Sequence, residues 1–326
     1  MRDAGRADMT HFDVFNGDAD GISSLVQLRL ATPIDAVLVT GVKRDIALLD
    51  RVAAQAGDTV TVLDISLAVN RPALLRLLDS GVSVQYFDHH FAGEIPVHPA
   101  LDAHVDTSPA VCTGILVDRF LGGRHRVWAV VAAFGDNLVG LARELALPLA
   151  LDGAQLAALR ELGDCLTYNA YSDDEADAIV PPAELYRILW RDADPFRFIA
   201  ANDVFAAINA ARHRDLELAR KARPTITLRN AEVYILPDEP WTRRVRGIFG
   251  NEIANASPEL AHAVLTRNAN GGYTVSVRAP RRSPTGADTM CRQFATGGGR
   301  AAAAGIEHLP PESLATFVEG LARAFP

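Results

Sequence analysis

A chain of 326 residues, 49% hydrophobic and 22% charged, has the make-up of an ordinary globular protein with room for two domains or one large one. Its 40 acidic residues outnumber 32 basic ones, for a net charge of −8. That balance argues against a dominant surface for long nucleic acids, while a local basic groove stays compatible with it.

The alternating run His11 to Phe15 predicts a first strand, followed by the loop Asn16-Gly17-Asp18-Ala19-Asp20-Gly21 and a helix over Ile22 to Leu30. Ala36 to Thr40 reads as a second strand, Ile46 to Ala54 as a second helix, and Thr59 to Leu63 as a third strand ending at Asp64. Pro72 is expected to open a third helix, where its missing N–H does no harm, and Gly81 to end it. Val82 to Phe87 is the next strand, with Asp88-His89-His90 just past its carboxyl end. Strands alternating with helices imply a parallel sheet with right-handed crossovers.

Asp106 to Pro109 reads as a turn, Ala110 to Leu121 as a helix entered through Thr113 and Gly114, and Trp128 to Phe134 as a buried helix closing with Gly135-Asp136-Asn137. Residues 151–224 look mostly helical: Asp152 to Tyr168, Pro182 to Trp190, and a charged, alanine-rich connecting helix from Asn202 to Arg223 that Pro224 ends. Strands are expected at Thr225 to Leu228, Ala231 to Leu236, His262 to Arg267 and Tyr273 to Arg278, the last two joined by a hairpin turn at Asn270-Gly271-Gly272. A final helix runs from Glu312 to Ala324. The fold class is thus α/β: an N-terminal parallel-sheet α/β domain (residues 10–195, after a tail over 1–9), a helical linker (196–224), and a smaller C-terminal α/β domain (225–326).

The most apolar stretches, Trp128 to Phe134 and Leu145 to Leu151, are too short to cross a bilayer. Met1 to Thr10 has no apolar core of a signal peptide. Cys112, Cys165 and Cys291 are odd in number, far apart and in no CxxC pair, so buried thiols in a reduced, cytoplasmic protein are expected, with no membrane partner.

The chemistry collects at one edge. Asp18 and Asp20 follow one strand, Asp64 ends another, and Asp88 with His89 and His90 ends a third, all on the carboxyl edge of one sheet, where open α/β sheets bind ligands. Carboxylates crowded together repel, and one or two bound cations remove the repulsion. Taken singly, Asp18 and Asp20 read as turn residues beside glycine and Asp136 as a helix-end residue; taken together they read as ligands. The cluster Arg243-Arg244-Val245-Arg246 reads as a solvated face.

Four segments in order, Gly17-Asp18-Ala19-Asp20-Gly21, Val62-Leu63-Asp64, Asp88-His89-His90 and Gly135-Asp136, resemble the motifs of the DHH phosphoesterase superfamily. Asp106 to Gly114 resembles the segment before its fourth motif. Gly297-Gly298-Gly299-Arg300 followed by Ala301 to Gly305 resembles the glycine loop of the DHH-associated domain, with Ser276-Val277-Arg278 as its preceding strand. The resemblance covers residues 10–326 and points to the branch of nanoRNases and 3′-phosphoadenosine phosphatases.

It implies a Mn²⁺-dependent phosphoesterase with two ions, Mg²⁺ being an alternative. Asp18 and Asp64 would hold one ion; Asp20, Asp64, His89 and Asp136 the other. Asp64 bridges the two, with His90 and Asp88 beside it in the catalytic group, Asp88 orienting a neighbouring histidine. His90, Arg278, Gly297, Gly298, Gly299 and Arg300 would bind substrate. Two departures stand out. Val14 occupies a position where many members carry a histidine, with Asn16 as a nearer oxygen donor, and Arg300 stands where histidine is usual. The expected substrate is a small nucleotide or a short oligonucleotide and not a long nucleic acid; a homodimer is admitted. The alternatives are a cyclic-dinucleotide or polyphosphate hydrolase, a single-strand exonuclease, or a nucleotide-binding protein without turnover.

Overall fold

The computed structural model describes residues 9–326. The tail expected over 1–9, and the reading of Met1 to Thr10, therefore lie outside the described residues up to position 8. Contacts divide the chain into two compact units: one holds the residues up to Ala170 with Asp174–Asn209, the other Tyr171–Asp173 with Ala210–Pro326.

The first unit opens with β1 (His11–Asn16), α1 (Ala19–Ala31), β2 (Val37–Gly41), β3 (Thr59–Leu63), α2 (Leu67–Asp79), β4 (Ser83–Asp88) and β5 (Leu101–Val105). The five strands form one all-parallel sheet in the order β2-β1-β3-β4-β5. Alternation sorts their side chains. Phe12, Val14, Val60, Val62, Val84 and Tyr86 bury on one face in a core shared with Leu74, Leu77 and Leu78 of α2. On the other face Asp13 meets Arg29 of α1, and both are buried. Chain order reverses direction across β1 and β3, because β2 lies on one side of β1 and all later strands on the other. Such a switch point leaves a crevice at the carboxyl ends of the strands.

The rest of the unit is helical: α3 (Thr113–Phe120), α4 (Arg126–Gly135), α5 (Val139–Ala146), α6 (Gly153–Ala170), α7 (Pro182–Asp192), α8 (Pro195–Ala201) and the start of α9 (Asp203–Arg220). Gly114, Gly135 and Gly163 let these helices approach closely: a Cβ on Gly135 would lie 2.2 Å from that of Ala19, and one on Gly114 2.4 Å from that of Ala132.

Several expectations are corrected here. The helix expected over Ile46 to Ala54 is a single 3-10 turn, Leu48–Arg51. Its backbone is captured by Asn70 of α2, which accepts from the Leu49 N–H at 3.1 Å and donates to the Ile46 carbonyl at 2.6 Å. Pro72 does not open α2 but lies inside it. The turn before it is already closed by the Asn70 N–H on the Ser66 carbonyl at 3.1 Å. Asp88 is the last residue of β4 rather than the first beyond it. β5, α5 and α8 were not anticipated. Nor is α9 simply solvated: Ile208, Ala211, Leu216, Ala219 and Asp215 are buried.

The second unit carries β6 (Ile226–Thr227), β7 (Ala231–Ile235), α10 (Pro240–Ala256), β8 (Ala261–Arg267), β9 (Tyr273–Arg278), α11 (Ala287–Cys291), β10 (Gly297–Arg300), β11 (Ala303–Leu309) and α12 (Leu314–Ala324). Its six strands lie in the order β10-β11-β9-β8-β7-β6, antiparallel except for β7 with β8. Met290 and Cys291 of α11 and Phe317 and Leu321 of α12 join Val233, Ala263, Leu265, Val275 and Val277 in its core. The arginine cluster expected to be a solvated face belongs to α10. Arg244 is buried against Asp215 at 2.7 Å, Arg246 pairs with Asp173 at 2.8 Å, and only Arg243 reaches an exposed partner, Asp238, at 3.0 Å. The glycine triplet lies in β10, which turns back on β11 as a hairpin. All three cysteines are buried and outside any disulfide. Among the described residues no helix is long and apolar enough to cross a membrane.

Candidate metal centre

β1, β3 and β4 are neighbours, so Asp18, Asp64 and Asp88 emerge side by side at the switch point. Asp18 is the N-cap of α1: its Oδ1 accepts from the N–H groups of Asp20 and Gly21 at 3.0 and 3.1 Å. A Cβ on Gly21 would lie 2.1 Å from the Asn16 carbonyl, so glycine is required for that turn. Asp20, in the first turn of α1, is gripped by the N-terminus of α3. The Thr113 N–H reaches its Oδ2 at 2.8 Å and the Gly114 N–H its Oδ1 at 2.7 Å. Thr113 Oγ1 donates to Asp64 Oδ1 at 3.1 Å. Asp64 itself has φ of 61°, a left-handed backbone that a non-glycine residue seldom adopts and that is common where a side chain must be aimed. Asp136 follows α4 as its C-cap, and Asn137 beyond it also has φ of 61°.

These elements bring five groups together. His89 Nε2 lies 3.7 Å from Asp20 Oδ2, 3.4 Å from Asp64 Oδ1 and 3.5 Å from Asp136 Oδ2. His89 Nδ1 is 3.0 Å from the Val111 carbonyl. A carbonyl only accepts, so Nδ1 carries a hydrogen and Nε2 is the ring nitrogen that faces the three carboxylate oxygens. Carboxylates facing one another repel, and a proton or a cation among them relieves the repulsion. Asp20, His89 and Asp136 form one potential ligand triad, and Asp64, His89 and His90 a second that shares His89. His90 Nδ1 is 2.8 Å from Asp88 Oδ1, and the other oxygen of Asp88 accepts the Leu67 N–H at 3.2 Å. Asp88, fully buried, thus fixes the orientation of the half-exposed His90.

The electrostatics agree with the geometry. Burial pushes the Asp64 carboxyl well above the carboxylate range, and the charges of Asp20, Asp18 and Asp136 push it further. Asp136 is raised too, by burial first, against the pull of Lys43 and with Asp20 and Asp18 adding to the rise. Burial alone would raise Asp18, but the Lys43 ammonium and the Gly21 N–H override it and bring Asp18 down to about 2. For His90, burial works against the charged ring and the Asp88 hydrogen bond outweighs it, leaving its pKa raised.

The donor set around His89, one imidazole and three carboxylates, suits a divalent cation that accepts both nitrogen and oxygen ligands. The set at Asp18 does not suit a second ion. One Asp18 oxygen caps α1, and the other is bound by the Lys43 ammonium, which also lies 3.9 Å from Asp136. Val14 is fully buried in the apolar core. The oxygen of Asn16 accepts the Asp18 N–H at 3.1 Å, and its amide donates to the Lys43 carbonyl at 3.1 Å, so it holds loops rather than offering a ligand. Lys43 was not anticipated. A signal existed: of the 32 basic residues only Lys43 and Lys221 are lysines.

The second unit contains the remaining candidates. The Arg278 guanidinium is held by Asn251 Oδ1 at 2.6 Å, Ser276 Oγ at 2.9 Å and the carbonyls of Val277 and Gly247 at 3.1 and 3.3 Å, all neutral acceptors. Burial lowers its pKa. Arg300 is exposed at the end of β10. Two of the three glycines serve the fold: a Cβ on Gly297 would lie 1.8 Å from the Cys291 carbonyl, and one on Gly299, whose φ is 137°, would lie 2.5 Å from the Ala304 Cα. Gly298 alone faces open space.

This chain is similar in fold to a solved DHH domain and to solved RecJ structures. No family model and no curated protein sequence matches it. Solved structures do. A DHH domain from a member of the s1p family of ribosomal proteins aligns with a TM-score of 0.69 at 13% identity, over 97% of this chain and 86% of that one. RecJ from Thermus thermophilus, in complex with Mn²⁺, aligns with a TM-score of 0.66 at 19% identity, over 97% of this chain. The present chain spans only 52% of that RecJ. A pGpG-specific phosphodiesterase from Vibrio cholerae aligns with a TM-score of 0.55 at 15% identity, over 97% of this chain and 98% of that one.

Proposed function

We propose that the protein is a metal-dependent phosphoesterase acting on a small nucleotide or a short oligonucleotide, with Mn²⁺ as the working ion. The observation that carries the reading is the convergence of His89 Nε2 with carboxylate oxygens of Asp20, Asp64 and Asp136, 3.4–3.7 Å away. These four residues would hold the ion. A divalent cation there supplies Lewis acidity to a phosphoryl oxygen and to the attacking water. An imidazole among the ligands favours Mn²⁺ over Mg²⁺, which prefers oxygen alone.

The chain's own residues do the positioning. The N-terminus of α3 fixes both oxygens of Asp20, Thr113 fixes Asp64, and Asp88 turns His90 so that its free nitrogen can meet a phosphate oxygen. Arg278, whose charge is bound only by neutral groups, is suited to a second phosphate contact. The structures that this chain matches over most of their length include a phosphodiesterase described as pGpG-specific, 98% covered, and an exonuclease RecJ bound to manganese, 90% covered.

The test is a panel of 3′-phosphoadenosine 5′-phosphate, a ribodinucleotide, a five-residue and a thirty-residue single strand, each with Mn²⁺, Mg²⁺ or excess chelator. The expected outcome is Mn²⁺-dependent release of phosphate or mononucleotide from the smallest members, and none in chelator. Absence of hydrolysis across the panel, or turnover that survives chelator, would sink the reading.

A further inference from the structure

Lys43 lies on the loop after β2, yet its ammonium sits on Asp18, a residue that follows β1. The register of the parallel pair brings this about. Asn16 pairs with Gly41, and the Gly17 N–H donates to the Gly41 carbonyl at 3.0 Å, so the two chains leave the sheet together. A Cβ on Gly17 would lie 2.3 Å from that carbonyl, and glycine is what permits the approach. The loop is then anchored on both sides of Lys43. Its N–H donates to the Ala170 carbonyl at 3.0 Å, and its carbonyl accepts the Asn16 amide at 3.1 Å. The side chain is 30% exposed, and its ammonium lies on Asp18 with Asp136 3.9 Å away.

The consequence is a positive charge at the place where Asp18 would otherwise present an oxygen to an ion. Lysine suits that role better than arginine, because its charge is compact and its three donors can point in different directions. This chain uses arginine at 30 of its 32 basic positions and lysine here. The other requirement of a second ion site also fails, since Val14 offers no ligand and the Asn16 oxygen is taken.

We propose that the centre is mononuclear: one divalent cation on Asp20, Asp64, His89 and Asp136, with the Lys43 ammonium on Asp18 supplying the second positive charge that faces the substrate phosphoryl group. The proposal rests on the phosphoesterase reading above and departs from the two-ion arrangement that the motifs imply. Like a fixed hydrogen-bond donor aimed at developing charge, Lys43 acts without reorganising when the reaction occurs.

The experiment is metal counting on the full chain with Mn²⁺ alone, by equilibrium dialysis with elemental analysis and by electron paramagnetic resonance. The expected result is one Mn²⁺ per chain at saturation, with the hyperfine pattern of an isolated ion, and the same count in Asp18→Asn. Lys43→Ala is expected to keep that ion and to lose roughly a hundred- to thousandfold in kcat on the best substrate of the panel. Two ions per chain with an exchange-coupled spectrum, falling to one in Asp18→Asn, would overturn the proposal and leave the phosphoesterase reading intact. So would a Lys43→Ala variant with wild-type kcat. Failure to bind Mn²⁺ at all would instead remove the phosphoesterase reading on which the proposal stands. The count needs no turnover, so the two failures are told apart.

Discussion

At the scale of single residues, Asp64 concentrates the conflict that a cation would resolve. Its carboxyl is buried among three others and held at a left-handed backbone. Asparagine adopts that backbone readily, so Asp64→Asn changes the charge and little else. The variant should fold, resist urea at least as well as the metal-free wild type because repulsion is relieved, and lose activity by about a hundredfold or more. Near wild-type turnover would contradict its place in the centre. Arg300 offers a second test. Its exposed guanidinium can grip two phosphate oxygens, a contact worth about 1.5–3 kcal/mol. Arg300→Ala should weaken binding roughly ten- to a hundredfold for substrates with a phosphate away from the scissile bond. Equal losses for substrates with and without that phosphate would take Arg300 out of recognition. That Asp18, Asp64 and Asp88 share one sheet edge was legible in the sequence because each follows or ends a recognisable strand. Lys43 was not, because 25 residues separate it from Asp18 and only sheet register joins them.

At the scale of elements, β1 is fastened to α1 by a buried ion pair. Arg29 Nε donates to Asp13 Oδ2 at 2.8 Å, a second guanidinium nitrogen binds Asp13 Oδ1 and reaches Thr61 Oγ1 at 3.1 Å, and His11 joins from the same face. Burial raises the Asp13 carboxyl, but Arg29 and His11 outweigh it and leave the pKa below its ordinary 3.8. A depressed carboxylate stabilises the fold at every pH above its unfolded value, and the contribution vanishes as pH falls through the folded one. Asp13→Asn leaves Arg29 buried and unpaired, a loss of about 3–5 kcal/mol at pH 7. Urea unfolding at pH 7 and pH 3 should show the gap between wild type and variant narrowing in acid; the same gap at both pH values would contradict the assignment. The strands β1, β3 and β4 were readable because they are apolar and end in polar clusters. β5 escaped notice because Leu101-Asp102-Ala103-His104-Val105 carries two polar residues, one of them, His104, stacked on Phe87 at 4.5 Å. α10 was hidden by its arginines, which sit on carboxylates contributed by distant stretches of chain.

At the scale of the whole molecule, charge decides what length of substrate can be held. The net charge is −8, and Arg29, Arg126, Arg220, Arg244 and Arg246 are each bound to a carboxylate: Asp13, Asp118, Glu252, Asp215 and Asp173. A long single strand is gripped by releasing counterions from many phosphates, with affinity falling steeply as salt rises. On the proposed reading, an ion at His89 with Lys43 and His90 nearby would serve one phosphate. Affinity should therefore change by less than about threefold between a dinucleotide and a thirty-residue strand, and the slope of log affinity against log salt should be no steeper than about −2. Binding measured by fluorescence anisotropy with Ca²⁺ replacing Mn²⁺, across roughly 50–300 mM salt, gives both quantities. A slope several times steeper, together with affinity that climbs with strand length, would mean that a basic track exists and that the molecule works on long strands as an exonuclease.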